Sequence, residues 1–249
     1  MDRMPIRLAR PPIVEATAEV RFSSERPDLG SLLPGLMYAK LSDVYPTSQN
    51  TGIADLPAAL RVADPNLRYA FTNRLLSTDG KHYVGVCARA LGIASAGDYP
   101  GWLTFRERVA CAWKTLFENA GPLKVERVSI KYVNLIQVEH GSDLSKFAQL
   151  QLTLGGRPMT SENLQIRCER REGALVFIVA IVSHAAVGNI LGQTPRKGMI
   201  IDLDVISEEP VESNAEACLS MLDLIHEREK GEFFDLLNPE TIESYGPDY

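Results

Sequence analysis

The stretch Ile13-Val-Glu-Ala-Thr-Ala-Glu-Val-Arg-Phe22 decides the fold class of this chain. Its apolar side carries Val14, Ala16, Ala18, Val20 and Phe22. Its polar side carries Glu15, Thr17, Glu19 and Arg21. Strict alternation of this kind predicts a strand with one buried face. The strand is expected to begin after Pro11 and Pro12, because proline cannot donate to a sheet ladder.

The next hundred residues predict a helix, a loop and a hairpin. Residues 29–45 favour a short helix whose apolar side carries Leu32, Leu36, Tyr38 and Leu41. Residues 46–66 are rich in Pro, Thr, Ser, Gly and Asn, and are expected to form a loop. Asp79-Gly80 lies between the strand-like runs 67–77 and 81–90, which is a strong signal for a hairpin turn.

A long central helix is expected after Pro100, since proline fits the first turn of a helix. Its core-facing stripe consists of Phe105, Val109, Ala112, Trp113, Leu116 and Phe117. We expect Trp113 and Phe117 in particular to be buried. Gly121-Pro122 ends this helix, and the alternation of residues 125–138 predicts another strand.

The second half repeats the order of strands followed by a helix. A strand at 149–154, a hairpin of 163–169 with 174–183, and a strand at 198–207 are predicted, with a Gly-rich connection at 184–198. Ser213-Asn-Ala-Glu216 has the pattern of a capping box. The helix that it opens has an apolar side of Cys218, Met221, Leu222 and Ile225.

These elements predict an α+β fold, with a mostly antiparallel sheet backed by two long helices. Residues 1–249 are expected to form a single unit. Division into two pseudo-repeated halves, 1–140 and 141–249, is the open alternative, because the two halves share an element order but no residue-level similarity.

Composition excludes several classes of protein. The chain has 249 residues, 45% hydrophobic and 23% charged, which is typical of a globular protein. Its longest apolar run, 174–182, is about half of the roughly 20 residues that span a bilayer, and residues 1–10 lack the apolar segment of a secretory signal. We therefore expect no membrane segment and a cytoplasmic location. The net charge of −6 opposes nucleic-acid binding, which depends on Lys and Arg.

The four cysteines predict neither disulfides nor a metal site. Cys87, Cys111, Cys168 and Cys218 form no CxxC pair and have no histidine at ligand spacing. Each is expected to act as a small apolar side chain of a strand or helix, as free cysteine does in a reducing compartment. No cofactor is predicted.

Four stretches of the chain, taken together, resemble an uncharacterised, sporadically distributed bacterial protein family of similar length. They are Pro11-Pro-Ile-Val-Glu-Ala-x-x-Glu-Val-Arg-Phe22, Tyr99-x-Gly-Trp-x-x-Phe105, Arg127-Val-Ser-Ile-Lys-Tyr-Val-Asn134, and Leu222-Asp-Leu-Ile-His-Glu227 with Phe233 or Phe234. The chain departs from the family pattern at Lys131, where arginine is usual, and at 236–239, where Leu-Leu-Asn-Pro replaces an Ile-Thr segment. The resemblance implies one whole-length unit without an established activity, and a link to mobile or defence-associated genes.

No stretch of the sequence carries a strong catalytic motif. The chain has no G-x-S-x-G elbow, and its four histidines are scattered. Ser183 and His184 are neighbours on a predicted strand and point to opposite faces. His226 lies beside the apolar stripe of its helix, where a core-edge histidine bonded to a carboxylate and an acid–base or ligand role are both open.

Asp202 and Asp204 are the candidate metal ligands, although the signal is weak. At i and i+2 on a strand their carboxylates share one face, about 7 Å apart. Such a pair fits Mg²⁺, which prefers oxygen ligands, or a strand with a solvated polar face. Gly188–Gly198 lacks the Gly-Lys-Ser/Thr ending of a phosphate-binding loop.

The candidate ligand-binding residues are Glu15, Glu19, Arg127 and Lys131. Glu15 and Glu19 share one side of the first strand with Arg21, and Arg127 and Lys131 share one side of the later strand. If the two strands are neighbours, these side chains form either a structural ladder of cross-strand ion pairs or a polar pocket for a carboxylate, phosphate or peptide end.

The sequence favours a non-enzymatic binding or interaction protein, whose partner is a protein or a small anionic ligand. A homodimer is compatible with this interpretation. The alternative is an enzyme or ligand sensor with a charged pocket, such as a metal-assisted phosphoester hydrolase.

Overall fold

The computed structural model of the chain describes residues 4–65, 67–188 and 196–249. The strands are β1 (Arg7–Leu8), β2 (Ile13–Ser23), β3 (Thr47–Asn50), β4 (Asn73–Leu76), β5 (His82–Val86), β6 (Ala90–Ala96), β7 (Lys124–Ile136), β8 (Thr153–Leu154), β9 (Arg157–Pro158), β10 (Gln165–Glu172), β11 (Leu175–Val187), β12 (Arg196–Ser207) and β13 (Pro247–Asp248). The helices of this part of the chain are α1 (Leu29–Leu41), α2 (Ala58–Ala63), α3 (Trp102–Asn119), α4 (Ala215–Leu236) and α5 (Pro239–Ser244).

The fold is α+β, and its main feature is a nine-stranded antiparallel sheet. The strand order is β10-β11-β12-β7-β2-β6-β5-β4-β3. β2 and β7, the two strands that carry the candidate ligand-binding residues, are neighbours at the centre of the sheet. The short pairs β1–β13 and β8–β9 lie outside it.

One face of the sheet, here called the helix face, forms the core with α1, α3 and α4. β2 has the predicted alternation, and Ala16, Ala18, Val20 and Phe22 are fully buried on this face. Trp113 of α3 is also fully buried in the same cluster, whereas Phe117 packs against it and is half-buried. The predicted strand and central helix are thereby confirmed.

The prediction for α1 is correct about the helix and wrong about its buried side. The residues that face the core are Leu29, Leu33, Met37 and Leu41. Leu32 and Tyr38, which were expected in the stripe, are exposed. The pattern was ambiguous because leucines occur on both sides of this short helix, and the neighbouring α3 selects one side.

Several shorter elements differ from the predictions. Residues 46–66 contain β3 and α2 as well as loop, and β6 was not predicted as a separate strand. In the predicted strand 149–154, only Thr153–Leu154 pairs. These errors concern short segments whose structure depends on neighbours that are distant in sequence.

The N-terminal cap of α4 is also one residue later than predicted. Asn214, not Ser213, accepts a hydrogen bond from the backbone N–H of Ala217. Ser213 instead accepts a hydrogen bond from the backbone N–H of Val125 and so connects the cap to β7.

The cysteines divide into two classes. Cys87 and Cys218 are buried, as expected of small apolar side chains. Cys111 and Cys168 are exposed, so the prediction of an apolar setting is wrong for these two. Cys168 is exposed because its strand, β10, is the last of the sheet.

β11 and β12 extend into the predicted connection 184–198. β11 continues to Val187 and β12 begins at Arg196, and their pairing includes a bulge between Val182 and Ala185. The remainder of that connection, 189–195, lies outside the described residues. Within the ranges that the structure covers, no helix is both long and apolar enough to cross a membrane.

Gly198 of β12 should not tolerate a larger residue. A Cβ at this position would collide with the backbone carbonyl oxygen of Ile136, which cannot move without disturbing β7. We expect Gly198→Ala to lower the free energy of unfolding by about 1–3 kcal/mol, measured by urea denaturation. Gly188→Ala is the control, since a Cβ there meets no atom. Equal stability of the two variants would contradict this packing.

Candidate functional site

The face of the sheet opposite the helices, here called the open face, carries the charged residues that the sequence singled out. Seven side chains of β2, β7 and β12 form what we call the charged surface. They are Glu15, Glu19, Arg21, Arg127, Lys131, Asp202 and Asp204. All seven residues are intermediate in exposure, neither fully buried nor free in solvent.

The register of the three strands brings the charged side chains into rows. Arg21 lies directly opposite Arg127, and Lys131 lies between Thr17 of β2 and Asp204 of β12. Two guanidinium groups directly opposite each other repel, so this arrangement needs an acidic group nearby. Glu19 supplies that group.

Glu19 is shared by both arginines. Its Oε1 accepts a hydrogen bond of 2.6 Å from Nε of Arg21 and lies 3.7 Å from Nη2 of Arg127. One carboxylate thus faces two guanidinium groups. The second contact is longer than a hydrogen bond, and Arg127 is therefore held less tightly than Arg21.

Lys131 is paired with Asp202 rather than with the residue directly opposite it. Its Nζ lies 2.8 Å from Oδ2 of Asp202. Asp204, which faces Lys131 across the strands, is left without this partner. The interaction between Lys131 and Asp202 also means that Asp202 is already engaged.

Arg127 and Asp204 each contain a buried polar atom with no hydrogen-bond partner in the structure. These atoms are Nε of Arg127 and Oδ1 of Asp204. The first is a donor and the second is an acceptor. Leaving such a group unsatisfied costs roughly 1–3 kcal/mol, and more when the group is charged.

Burial dominates the protonation of Asp204. It raises the pKa of this carboxyl from its usual 3.8 to about 6, although Arg127 and Lys131 oppose the shift. Burial also lowers the pKa of the Arg127 guanidinium, and the nearby Arg21 adds to this effect. For Lys131, by contrast, the hydrogen bond to Asp202 and nearby acidic groups outweigh burial, and the pKa is raised.

Aromatic residues border the charged surface on the side of β6. The Tyr69 ring lies 4.1 Å from the guanidinium carbon of Arg21, and its hydroxyl donates to Glu126 of β7. Phe71 occupies the space above Gly85 and Gly92, where any Cβ would collide with its ring. Tyr69 and Phe71 were not singled out by the sequence, because their position depends on the path of the chain between β3 and β4.

The four predicted ligand-binding residues therefore lie on one surface. Glu19 contacts Arg21 and Arg127, and Lys131 contacts Asp202. Glu15 stands at its edge, where its Oε1 accepts a hydrogen bond of 3.4 Å from Thr17. The sequence left a structural ladder and a polar pocket as alternatives. The arrangement has features of both, since part of it is a ladder of ion pairs and part contains polar atoms without a partner.

Asp202 and Asp204 do lie on the same face, but a metal site does not form around them. Asp202 is occupied by Lys131. Across residues 4–65, 67–188 and 196–249, no group of three or more His, Cys, Asp or Glu side chains is arranged to hold a metal ion.

His226 belongs to a second polar cluster, on the helix face. Its Nδ1 lies 3.2 Å from the hydroxyl of Tyr132, which lies 3.0 Å from the hydroxyl of Tyr99, and its ring stacks on Trp102 with a centroid distance of 3.6 Å. The expected carboxylate partner is thus wrong, because a tyrosine hydroxyl takes that place. These four residues all come from stretches that carry the family resemblance.

Burial shifts the pKa values of this cluster toward the uncharged forms of its side chains. Burial lowers the pKa of His226 to about 4 and raises the pKa of Glu229, one turn later on α4, well above its usual value. Burial likewise raises the pKa values of Tyr99 and Tyr132. The cluster connects α3, β7 and α4 through these contacts.

A groove of about 520 Å³ follows the opposite side of α4, next to β10 and β11. Its floor is Phe177, and the guanidinium groups of Arg170 and Arg228 lie 5.1 and 5.9 Å from the centre of that ring. Both arginines are tied by ion pairs of 2.6 Å, to Glu232 and Glu172 respectively. Both cations of this groove are held by short ion pairs, whereas Arg127 of the charged surface lies 3.7 Å from Glu19, so the groove is the weaker candidate for an anion site.

Comparison of the chain with protein-family models, curated proteins and solved structures finds no match in any of the three. The function must therefore be argued from the site.

Proposed function

We propose that this chain is a non-enzymatic binding protein, and that its charged surface binds the oxyanion group of a small ligand. The group is a carboxylate or a phosphate, which Arg127, Arg21 and Lys131 would hold. The resemblance to an uncharacterised bacterial family, with its link to mobile or defence-associated genes, is part of this proposal, as are the bacterial origin and the cytoplasmic location.

The observation that carries the proposal is the pair of unpartnered buried atoms. Nε of Arg127 donates to nothing in the structure, and Oδ1 of Asp204 accepts from nothing. Buried polar atoms are satisfied in more than nine cases of ten, roughly, so an unsatisfied donor and an unsatisfied acceptor on the paired strands β7 and β12 favour a bound partner there. A ligand bearing an acceptor and a donor would satisfy both.

Arg127 is the cation of the charged surface with the longest ion-pair contact, and is therefore the one most available to an anion. Glu19 is the acidic group nearest to both guanidinium groups, and its contact with Arg127 is the longer of the two. A guanidinium can bind an oxyanion through two parallel hydrogen bonds, which makes arginine well suited to carboxylate and phosphate groups. Asp204 supports this binding when it is protonated, because a neutral carboxyl can donate to the same ligand.

The order of the strands supports a division into two pseudo-repeated halves. Each half begins with a long strand, β2 or β7, and continues to an antiparallel meander whose last strand, β6 or β12, lies beside it. The meander has four strands in the first half and three in the second. A long helix follows, α3 or α4. In this proposal the division would lie at 120–123 rather than at 140, and the charged surface would span the junction.

The alternative function, a metal-assisted phosphoester hydrolase, has less support. It requires Asp202 and Asp204 as free ligands, and Asp202 is paired with Lys131 at 2.8 Å. It stays a prediction that metal titration of the charged surface can test.

Replacing Arg127 or Lys131 should weaken anion binding. We would titrate the protein with acetate, which represents a carboxylate, and with sulfate, which represents a phosphate group. Binding is followed by NMR through the Nε–H signal of Arg127 and the amides of β2, β7 and β12. Arg127→Met and Lys131→Met are expected to weaken binding about tenfold or more, since a hydrogen bond to a charged group contributes about 1.5–3 kcal/mol.

Arg157→Met is the matched control, because Arg157 lies on β9 and is exposed. It should bind both anions as the unmodified protein does. The proposal is contradicted if neither anion perturbs the charged surface, or if the control loses as much affinity as the two variants. Each variant is first checked for the melting temperature, since Arg127 is largely buried.

A further inference from the structure

β10 is an unprotected edge of the nine-stranded sheet. All eight of its residues pair with β11, without a register shift. Its other side has no backbone partner in the part of the chain that the structure describes. The N–H and C=O groups on that side are therefore available to another strand.

The usual protections of an edge strand are missing from β10. Proteins blunt such edges with proline, bulges or very short strands. β10 contains no proline and no bulge, and it has twice the length of β3, the four-residue strand at the other edge. Its charged residues are the remaining protection, and two of them, Arg167 and Glu169, are placed to pair between copies.

We propose that β10 pairs with β10 of a second copy of this chain, in an antiparallel register centred on Cys168. A twofold axis perpendicular to the sheet relates the two copies, so each side chain stays on the same face of the combined sheet. Even-numbered residues then lie opposite even-numbered residues, and odd-numbered residues lie opposite odd-numbered ones. In the register centred on Cys168, Arg167 lies opposite Glu169 of the second copy, and Glu169 lies opposite its Arg167. The two nine-stranded sheets then continue into one.

Charge complementarity selects the second copy as the partner. Cross-strand pairs of opposite charge stabilise a sheet, and this register creates two of them by symmetry. Within the chain, the β11 residues opposite Arg167 and Glu169 are Ala180 and Ile178, which offer no charge. Within the chain, Arg167 lies 3.7 Å from Oε2 of Glu169, and Oε1 of Glu169 is paired with Arg171 at 2.9 Å, so Oε2 is the oxygen left for Arg167 of the second copy.

The helix face adds an apolar contact to this interface. Ile166 and Cys168 line an open groove of about 230 Å³ between β10, β11 and α4, together with Val179 and Ile181. Cys168 is exposed there. In the proposed register Cys168 is opposite Cys168 of the second copy, and Ile166 lies diagonally beside it, so exposed apolar surface is covered.

The first test is charge reversal, measured by sedimentation equilibrium. The unmodified protein should form a dimer. Arg167→Glu or Glu169→Arg alone places like charges opposite each other at two symmetric positions, and should weaken the dimer about tenfold or more. The double variant Arg167→Glu/Glu169→Arg restores both pairs and should restore the dimer. Circular dichroism verifies that each variant is folded.

The second test uses the cysteines as reporters. Directly opposite residues of antiparallel strands have Cα atoms about 4.5–5.5 Å apart, within the range of a disulfide. Copper–phenanthroline should therefore cross-link the two Cys168 thiols, which lose two protons and pass two electrons to copper. Cys168→Ser should abolish the covalent dimer. Cys111→Ser, which removes the other exposed cysteine, should leave it unchanged.

Several results would overturn this inference. They are a monomer at every concentration, a dimer insensitive to both single charge reversals, a double variant that fails to recover, and cross-linking through Cys111. None of them bears on the charged surface, because β10 and the ligand site are separated by β11.

Discussion

Replacing Trp113 by alanine is expected to lower the free energy of unfolding by about 3–5 kcal/mol. Trp113 is fully buried at the centre of the core cluster, among side chains of the sheet and of α1 and α3. Its removal leaves a cavity that rigid strands cannot close. Urea denaturation followed by circular dichroism measures the loss.

Leu103→Ala is the control, because Leu103 lies on the same helix and is 77% exposed. It should change the free energy of unfolding by no more than about 0.5 kcal/mol. If Trp113→Ala were as stable as this control, the packing of α3 against the sheet would be wrong.

Asp204→Asn is expected to stabilise the protein at high pH. The pKa of Asp204 is raised from 3.8 to about 6 in the folded state, so folding disfavours the ionised carboxylate. The free-energy cost of burying this charge is absent below about pH 4, grows between pH 4 and 6, and reaches about 3 kcal/mol above pH 6. Asparagine has no charge to bury. The free energy of unfolding of the variant should therefore exceed that of the unmodified protein by up to about 3 kcal/mol at pH 8, and the difference should vanish near pH 4.

Asp202→Asn provides the matched comparison two residues earlier on the same strand. Asp202 is partly exposed and paired with Lys131. Its replacement should therefore lower the free energy of unfolding by at most about 1 kcal/mol, a change opposite in sign to that of Asp204→Asn. A residue that lowers stability in the free protein is typical of a functional site. The same increase in the free energy of unfolding for both variants, or an increase that does not depend on pH, would contradict the burial of Asp204.

Long periodic segments of the sequence predicted the fold class correctly. The alternation in 13–22 and the stripe of α3 each reflect burial of one continuous face, which is encoded locally. The same signal is ambiguous in α1, where two apolar sides compete and the contact with α3 decides between them. The short strands β3 and β6 carry little periodicity of their own and are organised by their partners.

The candidate site was predictable in its residues but not in its contacts. Alternation shows that Glu19, Arg127 and Lys131 each point away from the core. Only the adjacency of β2, β7 and β12 makes them one surface, and that pairing joins residues far apart in sequence. Asp204 illustrates the limit, since the sequence offered it as a metal ligand and the register leaves its Oδ1 buried without a hydrogen-bond partner.

The most direct test of the proposed ligand site is the titration of Asp204 itself. The carboxyl carbon of Asp204, labelled with ¹³C, is followed by NMR across the acid range, with and without saturating sulfate, whose charge does not change over that range. The free protein should show a pKa of about 6 for Asp204. Sulfate bound beside it should raise that pKa further, because a second negative charge disfavours ionisation. An ordinary pKa in the free protein, or a pKa that sulfate leaves unchanged, would contradict an oxyanion site at Arg127 and Asp204.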